Sequence, residues 1–360
     1  MESSVQWTGH TKVDFLKKLP SRERLAEALG HRPEKYLVIY DKKLPKIDAT
    51  AKKWLADFAL TYPVTGGERL KDFSDFPSHV RKLLRLIDGF SSRSLVIVAV
   101  GGGSVGDFAG FVSSVLKRGV PLIHVPTTLL AAMDSAHGGK TALNVGDWKN
   151  QIGTFYPASA VLIVRSLFEG LPSLQMQSAS GELAKMALLA GGELFAKFKN
   201  GFQAELEPIW ELLPQAIAAK YAIVEKDPFE KTGERQILNL GHTLGHALES
   251  YHKLAHGVAV GEGLLFALLW SEHQGYLRGG RELAELVRDR VGLLPPRDFT
   301  RQYRLMSRAR LAKFVSEDKK LTDTRHMHFI FLEGVGRPFR KEVAFESFLT
   351  ETQRQGWTAQ

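Results

Sequence analysis

An apolar strand pattern runs directly into a glycine-rich turn in the segment Val96-Ile97-Val98-Ala99-Val100-Gly101-Gly102-Gly103-Ser104-Val105-Gly106-Asp107. A helical pattern follows at 108–117. Glycines at a strand-to-helix turn let the backbone approach a pyrophosphate, whose charge then lies at the free N–H groups of the helix N-terminus. A tight turn that needs a positive φ explains one glycine better than the four present here. The spacing differs from the usual dinucleotide fingerprint, so this turn is a relative of that motif.

Other short apolar runs surround this segment, at 36–40, 121–125 and 160–164. Continuous apolar runs separated by helical patterns predict a parallel sheet buried on both faces. Helical periodicity dominates from about residue 178, at 181–199, 206–224, 236–252 and 258–276, with a strand-like alternation at 326–332. We therefore predict an α/β domain with a mostly parallel, Rossmann-like sheet at 1–172 and a mostly α-helical domain at 173–360.

The composition is that of an ordinary globular protein, with 360 residues, 44% hydrophobic and 24% charged. No apolar run approaches the roughly 20 residues of a membrane span, and the first residues lack an apolar signal core, so we expect a soluble, cytoplasmic protein with no membrane partner. The absence of cysteine excludes disulfides and thiolate metal sites. A net charge of +9 suits a small anionic substrate. Because no nucleic-acid-binding pattern is present, we expect no nucleic-acid partner.

Three histidines are concentrated in the segments Asn239-Leu240-Gly241-His242-Thr243-Leu244-Gly245-His246 and Leu254-Ala255-His256-Gly257. On a helix, residues four apart such as His242 and His246 project from one face, and neutral imidazole is a common zinc ligand. This pattern indicates a metal-dependent enzyme. An isolated H-x-x-x-H also occurs where surface or core histidines bind nothing, so the spacing alone leaves both interpretations open.

Polar clusters occur elsewhere along the chain. Two lysines, an aspartate and an asparagine surround a diglycine turn in Met133-Asp134-Ser135-Ala136-His137-Gly138-Gly139-Lys140-Thr141 and Trp148-Lys149-Asn150, which is typical either of a site for hydroxyls and anions or of a solvated loop. Glu182 and Lys185 lie three apart on a predicted helix and, taken alone, would form a surface ion pair. Gly66-Gly67-Glu68-Arg69-Leu70-Lys71 and Pro126-Thr127-Thr128 are turns at strand ends, where open α/β sheets bind ligands.

Taken in order, these motifs resemble the 3-dehydroquinate synthase family, one of the sugar phosphate cyclases that share a fold with iron-type polyol dehydrogenases. The resemblance covers at least residues 41–256 and rests on Gly-Glu-x-x-Lys, Gly-Gly-Gly-x-x-Gly-Asp, Arg-Gly-Val, Pro-Thr-Thr-Leu-Leu, Asp-Ser-x-x-Gly-Gly-Lys-Thr, Lys-Asn-x-Ile-Gly, Glu-x-x-Lys, Asn-x-Gly-His-x-x-Gly-His and His-Gly. It implies a carbon–oxygen lyase of the shikimate pathway, in aromatic amino acid biosynthesis. The implied reaction converts 3-deoxy-D-arabino-heptulosonate 7-phosphate to 3-dehydroquinate and phosphate by transient NAD oxidation, phosphate elimination, reduction and intramolecular aldol closure. The implied cofactors are recycled NAD and zinc, with cobalt as an alternative ion.

The resemblance also implies roles for individual residues. It makes Glu182, His242 and His256 the metal ligands, which leaves His246 to contact the substrate. The implied substrate-binding residues are Lys140, Asn150, Lys185, Lys220, Arg235, Asn239 and His246. Arg118 matches an arginine that reaches the phosphate of the neighbouring subunit and so implies a homodimer, and Lys319 or Lys320 would close the site. The implied NAD-binding residues are Asp41, Glu68 and Lys71 near the adenosine, Gly103, Ser104, Val105, Gly106 and Asp107 at the pyrophosphate, and Thr127, Thr128, Asp134, Lys140 and Lys149 towards the nicotinamide.

The chain departs from the family pattern at three places. Gly170-Leu171-Pro172-Ser173-Leu174-Gln175 replaces the usual Thr-Leu-Pro-x-Arg-Glu, Val258 replaces a glutamate, and one extra residue lies near 229–232. These changes leave open a cyclase of the 2-deoxy-scyllo-inosose or 2-epi-5-epi-valiolone type, acting on glucose 6-phosphate or sedoheptulose 7-phosphate. The joint retention of Lys220, Arg235, Asn239 and His246 favours the dehydroquinate synthase family. The many cations argue against a polyol dehydrogenase, and the complete metal set argues against an inactive binding protein.

Overall fold

The computed structural model describes residues 4–7, 11–146, 148–317 and 325–359, so Lys319 and Lys320 lie outside the described residues. The chain forms two compact units, the first ending at Leu171 and the second beginning at Pro172. Among the described residues, no helix combines the length and the apolar character needed to cross a lipid bilayer.

The first unit is an α/β structure. Its strands are β1 (Ser4–Trp7), β2 (Thr11–Leu16), β3 (Lys35–Asp41), β4 (Leu60–Val64), β5 (Leu95–Gly101), β6 (Leu122–Pro126), β7 (Lys140–Val145), β8 (Trp148–Phe155) and β9 (Ala160–Val164). Its helices are α1 (Arg22–Leu29), α2 (Leu44–Ile47), α3 (Ala49–Ala56), α4 (Phe76–Leu86) and α5 (Gly103–Val115). Short 3₁₀ turns lie at Glu68–Lys71, Leu116–Arg118 and Arg165–Leu167, and a π-helical turn lies at Ala131–Ser135.

Seven of these strands form one sheet in the order β1-β2-β9-β6-β5-β3-β4. Only β1 pairs antiparallel in this sheet; the other six strands are parallel. Strands β5, β6 and β9 are buried at every position, as the continuous apolar runs predicted, because helices cover both faces. The predicted parallel, Rossmann-like sheet is confirmed. Strands β7 and β8 form a separate antiparallel hairpin, which the sequence patterns did not predict.

The parallel arrangement decides where the polar turns lie. Strands β3, β4, β5 and β6 are neighbours in the sheet, so their carboxyl ends share one edge. The turns that follow them include Asp41, the diglycine Gly66-Gly67, the glycines at 101–103 and the pair Thr127-Thr128. The fold therefore gathers residues far apart in sequence at the edge where α/β proteins bind ligands.

The second unit is mostly helical, as predicted. Its helices are α6 (Ser173–Ala190), α7 (Gly192–Lys199), α8 (Leu206–Val224), α9 (His242–His252), α10 (His256–His273), α11 (Gly280–Val291), α12 (Pro296–Gln302), α13 (Arg308–Glu317) and α14 (Phe345–Arg354), with a 3₁₀ turn at Glu234–Asn239. The strands β10 (His326–Gly334) and β11 (Arg337–Ala344) form an antiparallel hairpin. The predicted helices at 206–224 and 258–276 and the predicted strand at 326–332 are confirmed.

Two predicted helices are interrupted by glycines in the left-handed region. The helix predicted at 181–199 is two helices, because α6 ends before Gly191, whose φ is +65°. The helix predicted at 236–252 was wrong at its start. There the chain forms a 3₁₀ turn, passes through Gly241 with a φ of +79°, and begins α9 only at His242. Glycine tolerates this backbone conformation without the Cβ clash of other residues, so each break falls on a glycine.

Candidate functional site

Three candidate metal ligands, one buried carboxylate and two imidazoles, lie together in the second unit. Glu182 lies in the middle of α6, whereas His242 and His256 are the first residues of α9 and α10. The Glu182 Oε1 atom lies 3.3 Å from His242 Nε2 and 3.3 Å from His256 Nε2. The Glu182 side chain is 1% exposed, so the carboxylate is almost completely removed from water. Tertiary packing thus joins residues separated by up to 74 positions (256 − 182).

Glycines next to two of the candidate ligands explain this close approach. A β-carbon added to Gly181 would overlap the carbonyl oxygen of Gly257, and one added to Gly257 would overlap the carbonyl oxygen of Ser178. The amide of Gly257 also donates to the Ser178 hydroxyl at 3.0 Å. The backbones of α6 and α10 are therefore in direct contact, which brings Glu182 to the start of α10. This close contact is the physical reason for glycine at position 181, before Glu182, and at position 257, after His256.

The hydrogen bonds of the two imidazoles aim both Nε2 atoms at Glu182. His242 Nδ1 lies 3.2 Å from the Leu240 carbonyl oxygen, and His256 Nδ1 lies 2.8 Å from Glu249 Oε2. Both partners are acceptors, so each Nδ1 carries the hydrogen. A histidine that donates its other N–H to a carbonyl or carboxylate is the usual arrangement of a metal ligand. Glu249 was not among the residues expected from the sequence, although it lies between the two histidine motifs, seven residues before His256.

The cluster fits a zinc ion. Atoms bound to a tetrahedral zinc at about 2.0–2.1 Å lie about 3.3–3.4 Å apart. The two separations from Glu182 match this value. At His242 the Nε2 lone pair faces a carboxylate oxygen, an acceptor against an acceptor, and only a proton or a cation between them relieves this repulsion. Glu182 Oε1 faces both imidazoles and Glu182 Oε2 lies 2.5 Å from Lys185 Nζ, so the buried carboxylate is held as an anion, which suits a group that binds a metal ion.

The charge states of these groups have identifiable causes. Burial and the nearby Lys185 lower the pKa of His242 to about 3, so its ring is neutral at neutral pH. Burial opposes a charge on His256, but the hydrogen bonds that its ring donates to Glu182 and Glu249 outweigh burial and raise its pKa to about 10. Burial likewise opposes the charge of Glu182, yet Lys185 and His242 hold its pKa well below the ordinary value. An anionic oxygen therefore persists at the centre of the cluster.

His246 lies beside the same cluster. Its ring centroid is 5.1 Å from that of His242 and 5.7 Å from that of His256. Metal-ligating atoms of these three histidines lie within 4.8 Å of one another. His246 therefore lies close enough to the cluster to contact a molecule bound there.

Buried cations lie at Glu182 and on elements that pack against α6. The Nζ atom of Lys185 lies 2.5 Å from Glu182 Oε2, on the same face of α6, so this pair is a buried ion pair rather than a surface one. Lys220 on α8 is 5% exposed and Arg235 in the 3₁₀ turn is 4% exposed. Helix α8 packs against α6, and the 3₁₀ turn packs against both. Asn239 ends that turn and is half-buried. Lysine and arginine are rarely buried in proteins, so these side chains mark a polar interior in this part of the second unit.

Asp227 organises the loop that precedes Arg235. Its carboxylate accepts hydrogen bonds from four amides, those of Lys231 at 2.6 Å, Thr232 at 3.2 Å, Gly233 at 2.9 Å and Arg235 at 3.4 Å. Burial opposes the charge, but these amides lower the pKa of Asp227 to about 2. The extra residue near 229–232 therefore lies in a loop that is tied to one carboxylate. Asp227 was not expected from the sequence, because its role is visible only in the folded loop.

The first unit carries a second cluster, at the carboxyl edge of its sheet. Helix α5 begins at Gly103, so Gly103, Ser104, Val105, Gly106 and Asp107 form its first turn. The Ser104 hydroxyl accepts a hydrogen bond of 2.8 Å from the amide of Gly67. A β-carbon on Gly66 would overlap the carboxylate of Asp41. The expected adenosine and pyrophosphate residues are thus neighbours around the N-terminus of one buried helix.

A chain of hydrogen bonds extends this cluster to the β7–β8 hairpin. Lys71 Nζ lies 2.6 Å from Asp107 Oδ2 and donates to Asn150 Oδ1 at 2.7 Å. The amide of Asn150 donates to Asn144 Oδ1 at 2.9 Å, and Asn144 Nδ2 donates to Glu68 Oε2 at 3.0 Å. Asn144 was not among the residues expected from the sequence. Its side chain joins Glu68, which is expected at NAD, to Asn150, which is expected at the substrate.

The other expected residues of the first unit are distributed along the same elements. Thr127 and Thr128 follow β6, and Asp134 lies in the π-helical turn. Lys140 begins β7 and Lys149 lies on β8, both with exposed side chains. Arg118 is exposed and has a φ of +65°, which is uncommon for a residue other than glycine.

The departures from the family pattern lie at element ends. Pro172 precedes α6, which begins at Ser173, and the side chain of Leu174 is 54% exposed. Val258 is the third residue of α10, directly after the His-Gly pair, and is half-buried. Neither change replaces a residue of the Glu182–His242–His256 cluster.

The fold and the site define the class of protein. Over 99% of this chain and 100% of the compared one, the structure superposes with a TM-score of 0.82 on a crystal structure of 2-deoxy-scyllo-inosose synthase complexed with carbaglucose-6-phosphate, NAD+ and Co2+, at 24% sequence identity. A structure of 2-epi-5-epi-valiolone synthase from Streptomyces hygroscopicus subsp. jinggangensis 5008, with NAD+ and Zn2+ bound, gives a TM-score of 0.76 at 22% identity over 98% of each chain. The chain therefore has the fold of the sugar phosphate cyclases.

The family follows from sequence comparison. The family model of the 3-dehydroquinate synthase N-terminal region matches residues 61–178, and that of the C-terminal region matches residues 179–321. A 3-dehydroquinate synthase from Pyrobaculum islandicum is 38% identical over 294 residues, which cover 80% of this chain and 83% of the relative. The chain belongs to the 3-dehydroquinate synthase family, as the motifs predicted.

Proposed function

We propose that this protein is a 3-dehydroquinate synthase, a lyase that converts 3-deoxy-D-arabino-heptulosonate 7-phosphate to 3-dehydroquinate and phosphate. The observation that carries the proposal is the buried Glu182 carboxylate, flanked by two imidazoles at 3.3 Å and by the cation of Lys185. Membership of the family supports the same reaction. A substrate with a phosphate at one end and a carboxylate at the other suits a unit in which Lys185, Lys220 and Arg235 are buried.

We assign the cofactors to residues of each unit separately. Glu182, His242 and His256 would hold zinc, or cobalt in its place, with coordination positions left for a substrate. NAD would be held by Asp41, Glu68, Lys71, the turn 103–107, Thr127, Thr128, Asp134, Lys140 and Lys149. When bound, the metal supplies Lewis acidity towards a substrate hydroxyl and NAD supplies a reversible hydride acceptor.

The protein side chains then bind and orient the substrate. Lys185, Lys220 and Arg235 would hold the anionic groups of the substrate, because burial strengthens their attraction to charge. His246 borders the same cluster, and we assign it and Asn239 to substrate hydroxyls. Lys140 and Asn150 of the first unit are assigned to the substrate as well. Arg118 would reach the phosphate in a neighbouring subunit, which makes a homodimer part of the proposal. Binding the leaving phosphate by fixed cations lowers the cost of its departure.

A second candidate is a sugar phosphate cyclase that acts on a substrate without a carboxylate. The replaced segment 170–175 and Val258 favour it, because the segment runs into the start of α6 and Val258 lies two residues after His256 in α10. The unaltered set Lys220, Arg235, Asn239 and His246 favours the heptulosonate.

The test is phosphate release by the purified protein with NAD and zinc, measured for the heptulosonate phosphate, glucose 6-phosphate and sedoheptulose 7-phosphate. We expect release from the heptulosonate phosphate without net NADH. Release only from a substrate without a carboxylate would establish the second candidate instead. Steady accumulation of NADH would indicate a dehydrogenase and contradict both.

A further inference from the structure

One buried amide side chain connects two parts of the first unit. Asn144 lies near the end of β7 and is 8% exposed. The register of the β7–β8 hairpin shifts between Leu143 and Val145, so Asn144 lies outside the regular pairing. Its backbone pairs instead with the segment after Glu68–Lys71, where the amide of Phe73 donates to the Asn144 carbonyl at 2.8 Å. The backbone and the side chain of Asn144 thus tie the hairpin to the Glu68–Lys71 turn.

The side chain makes two hydrogen bonds of opposite sense. Asn144 Oδ1 accepts from the Asn150 amide at 2.9 Å, and Nδ2 donates to Glu68 Oε2 at 3.0 Å. The backbone N–H of Asn150 requires an acceptor, and the carboxylate of Glu68 requires a donor. The Asn144 side chain therefore turns its oxygen towards Asn150 and its nitrogen towards Glu68. Among side chains of this length, asparagine alone offers both functions. Aspartate would place a second negative oxygen against Glu68.

Asn150, one of the two partners of Asn144, has a backbone conformation that needs support from its neighbours. Asn150 has a φ of +55°, in the left-handed region, which asparagine visits at a moderate cost. Its side chain accepts from Lys71, which is itself paired with Asp107 at the start of α5. Asn144 therefore stabilises the backbone that presents Asn150 while it orients Glu68.

We propose that Asn144 is a positioning residue that couples Glu68 and Lys71 to Asn150, and so couples NAD binding to substrate binding. The inference rests on the proposed function, in which Glu68 and Lys71 contact NAD and Asn150 contacts the substrate. Asn144 itself would contact neither NAD nor the substrate. Its contribution is to hold the turn and the hairpin in one geometry before either ligand binds.

The test compares NAD binding, by calorimetry, in isosteric variants. Asn144→Asp keeps the acceptor for Asn150 but repels Glu68, so we expect the Kd for NAD to rise about tenfold. In turnover assays, the KM values for NAD and for the heptulosonate phosphate should rise more than kcat falls. The matched control is Thr154→Val, which removes a 2.9 Å hydroxyl contact with Thr141 in the same hairpin and should change the Kd less than about twofold.

Rescue separates positioning from simple damage to the hairpin. In a Glu68→Gln background, the new amide can donate to the aspartate introduced by Asn144→Asp, which restores the hydrogen bond with its sense reversed. The Kd ratio caused by Asn144→Asp should therefore fall from about tenfold to about threefold or less in that background. Thermal unfolding without NAD shows whether each variant is folded.

Two outcomes would overturn the inference while leaving the proposed function intact. One is a wild-type Kd for NAD in folded Asn144→Asp. The other is an equal Kd ratio in both backgrounds, since positioning through Glu68 requires coupling. If the unaltered protein binds no NAD, the proposed function itself fails, and this inference fails with it.

Discussion

The hydrogen bond between His256 and Glu249 should control metal affinity. The two atoms are 2.8 Å apart, and the Glu249 side chain is 28% exposed. Loss of such an outer carboxylate usually weakens metal binding by about 10–100-fold, or about 1.4–2.7 kcal/mol. Partial exposure lets water replace the lost acceptor, so we expect the lower end, about tenfold, for Glu249→Leu. Glu249→Gln keeps an acceptor oxygen but loses the charge. We therefore expect about half of the free-energy loss of Glu249→Leu, which is a zinc affinity about threefold weaker than that of the unaltered protein.

The assay is zinc affinity at neutral pH, measured by competition with a chelating dye, with thermal unfolding of the metal-free protein recorded separately. A matched control exists in the same unit, because His273 Nδ1 lies 2.9 Å from Glu351 Oε2. Glu351→Gln alters the same kind of pair away from the cluster and should leave zinc affinity unchanged, whatever it does to stability. Zinc binding by Glu249→Leu as tight as that of the unaltered protein would contradict a role for this hydrogen bond, as would an equal loss of affinity in Glu351→Gln.

Two further predictions concern packing and pH. Gly257→Ala would force α10 away from the Ser178 carbonyl, and we expect a loss of about 1–3 kcal/mol in the free energy of unfolding together with weaker zinc binding. Gly261→Ala on the same helix meets only the Leu293 side chain at 3.1 Å, so unfolding experiments should show little change; equal losses in the two variants would contradict the backbone-contact argument. Burial raises the pKa of Glu262 from 4.5 to about 8, so the folded state keeps a proton that the unfolded chain releases. Stability from this group is therefore complete below about pH 4.5 and is lost towards pH 8 at up to about 1.4 kcal/mol per pH unit, a slope that Glu262→Gln should remove; parallel stability curves for the two proteins would show that Glu262 ionises normally.

The architecture of both units could be predicted from local patterns. Continuous apolar runs such as 95–100 occur where both faces of a strand are covered, and this burial pattern is visible in sequence. Helical periodicity in the second half had the same origin. The hairpin β7–β8 was missed because β8 is exposed along most of its length and shows no apolar alternation. The start of α9 was misplaced because Gly241 takes a left-handed conformation within an otherwise helical pattern.

The ordered motifs predicted the family, since their glycines, histidines and acidic residues follow one another in the family's order, despite the departures at 170–175 and Val258. Spacing alone paired His242 with His246, because those residues share a helix face. Only the packing of α6 against α10 shows Glu182 at 3.3 Å from both His242 and His256. That packing depends on backbone contacts at Gly181 and Gly257, which no helical periodicity reveals.

Residue types and local periodicity thus predict the strands, the helices and the functional side chains that this protein offers, because burial and backbone preference act over a few neighbouring residues. The partners of each functional group depend on contacts between distant segments. Asn144 meets Glu68 across 76 positions, and His256 meets Glu182 across 74 (256 − 182). Their geometry follows from the helix and strand packing that places these segments side by side, so the tertiary structure alone decides which groups act together.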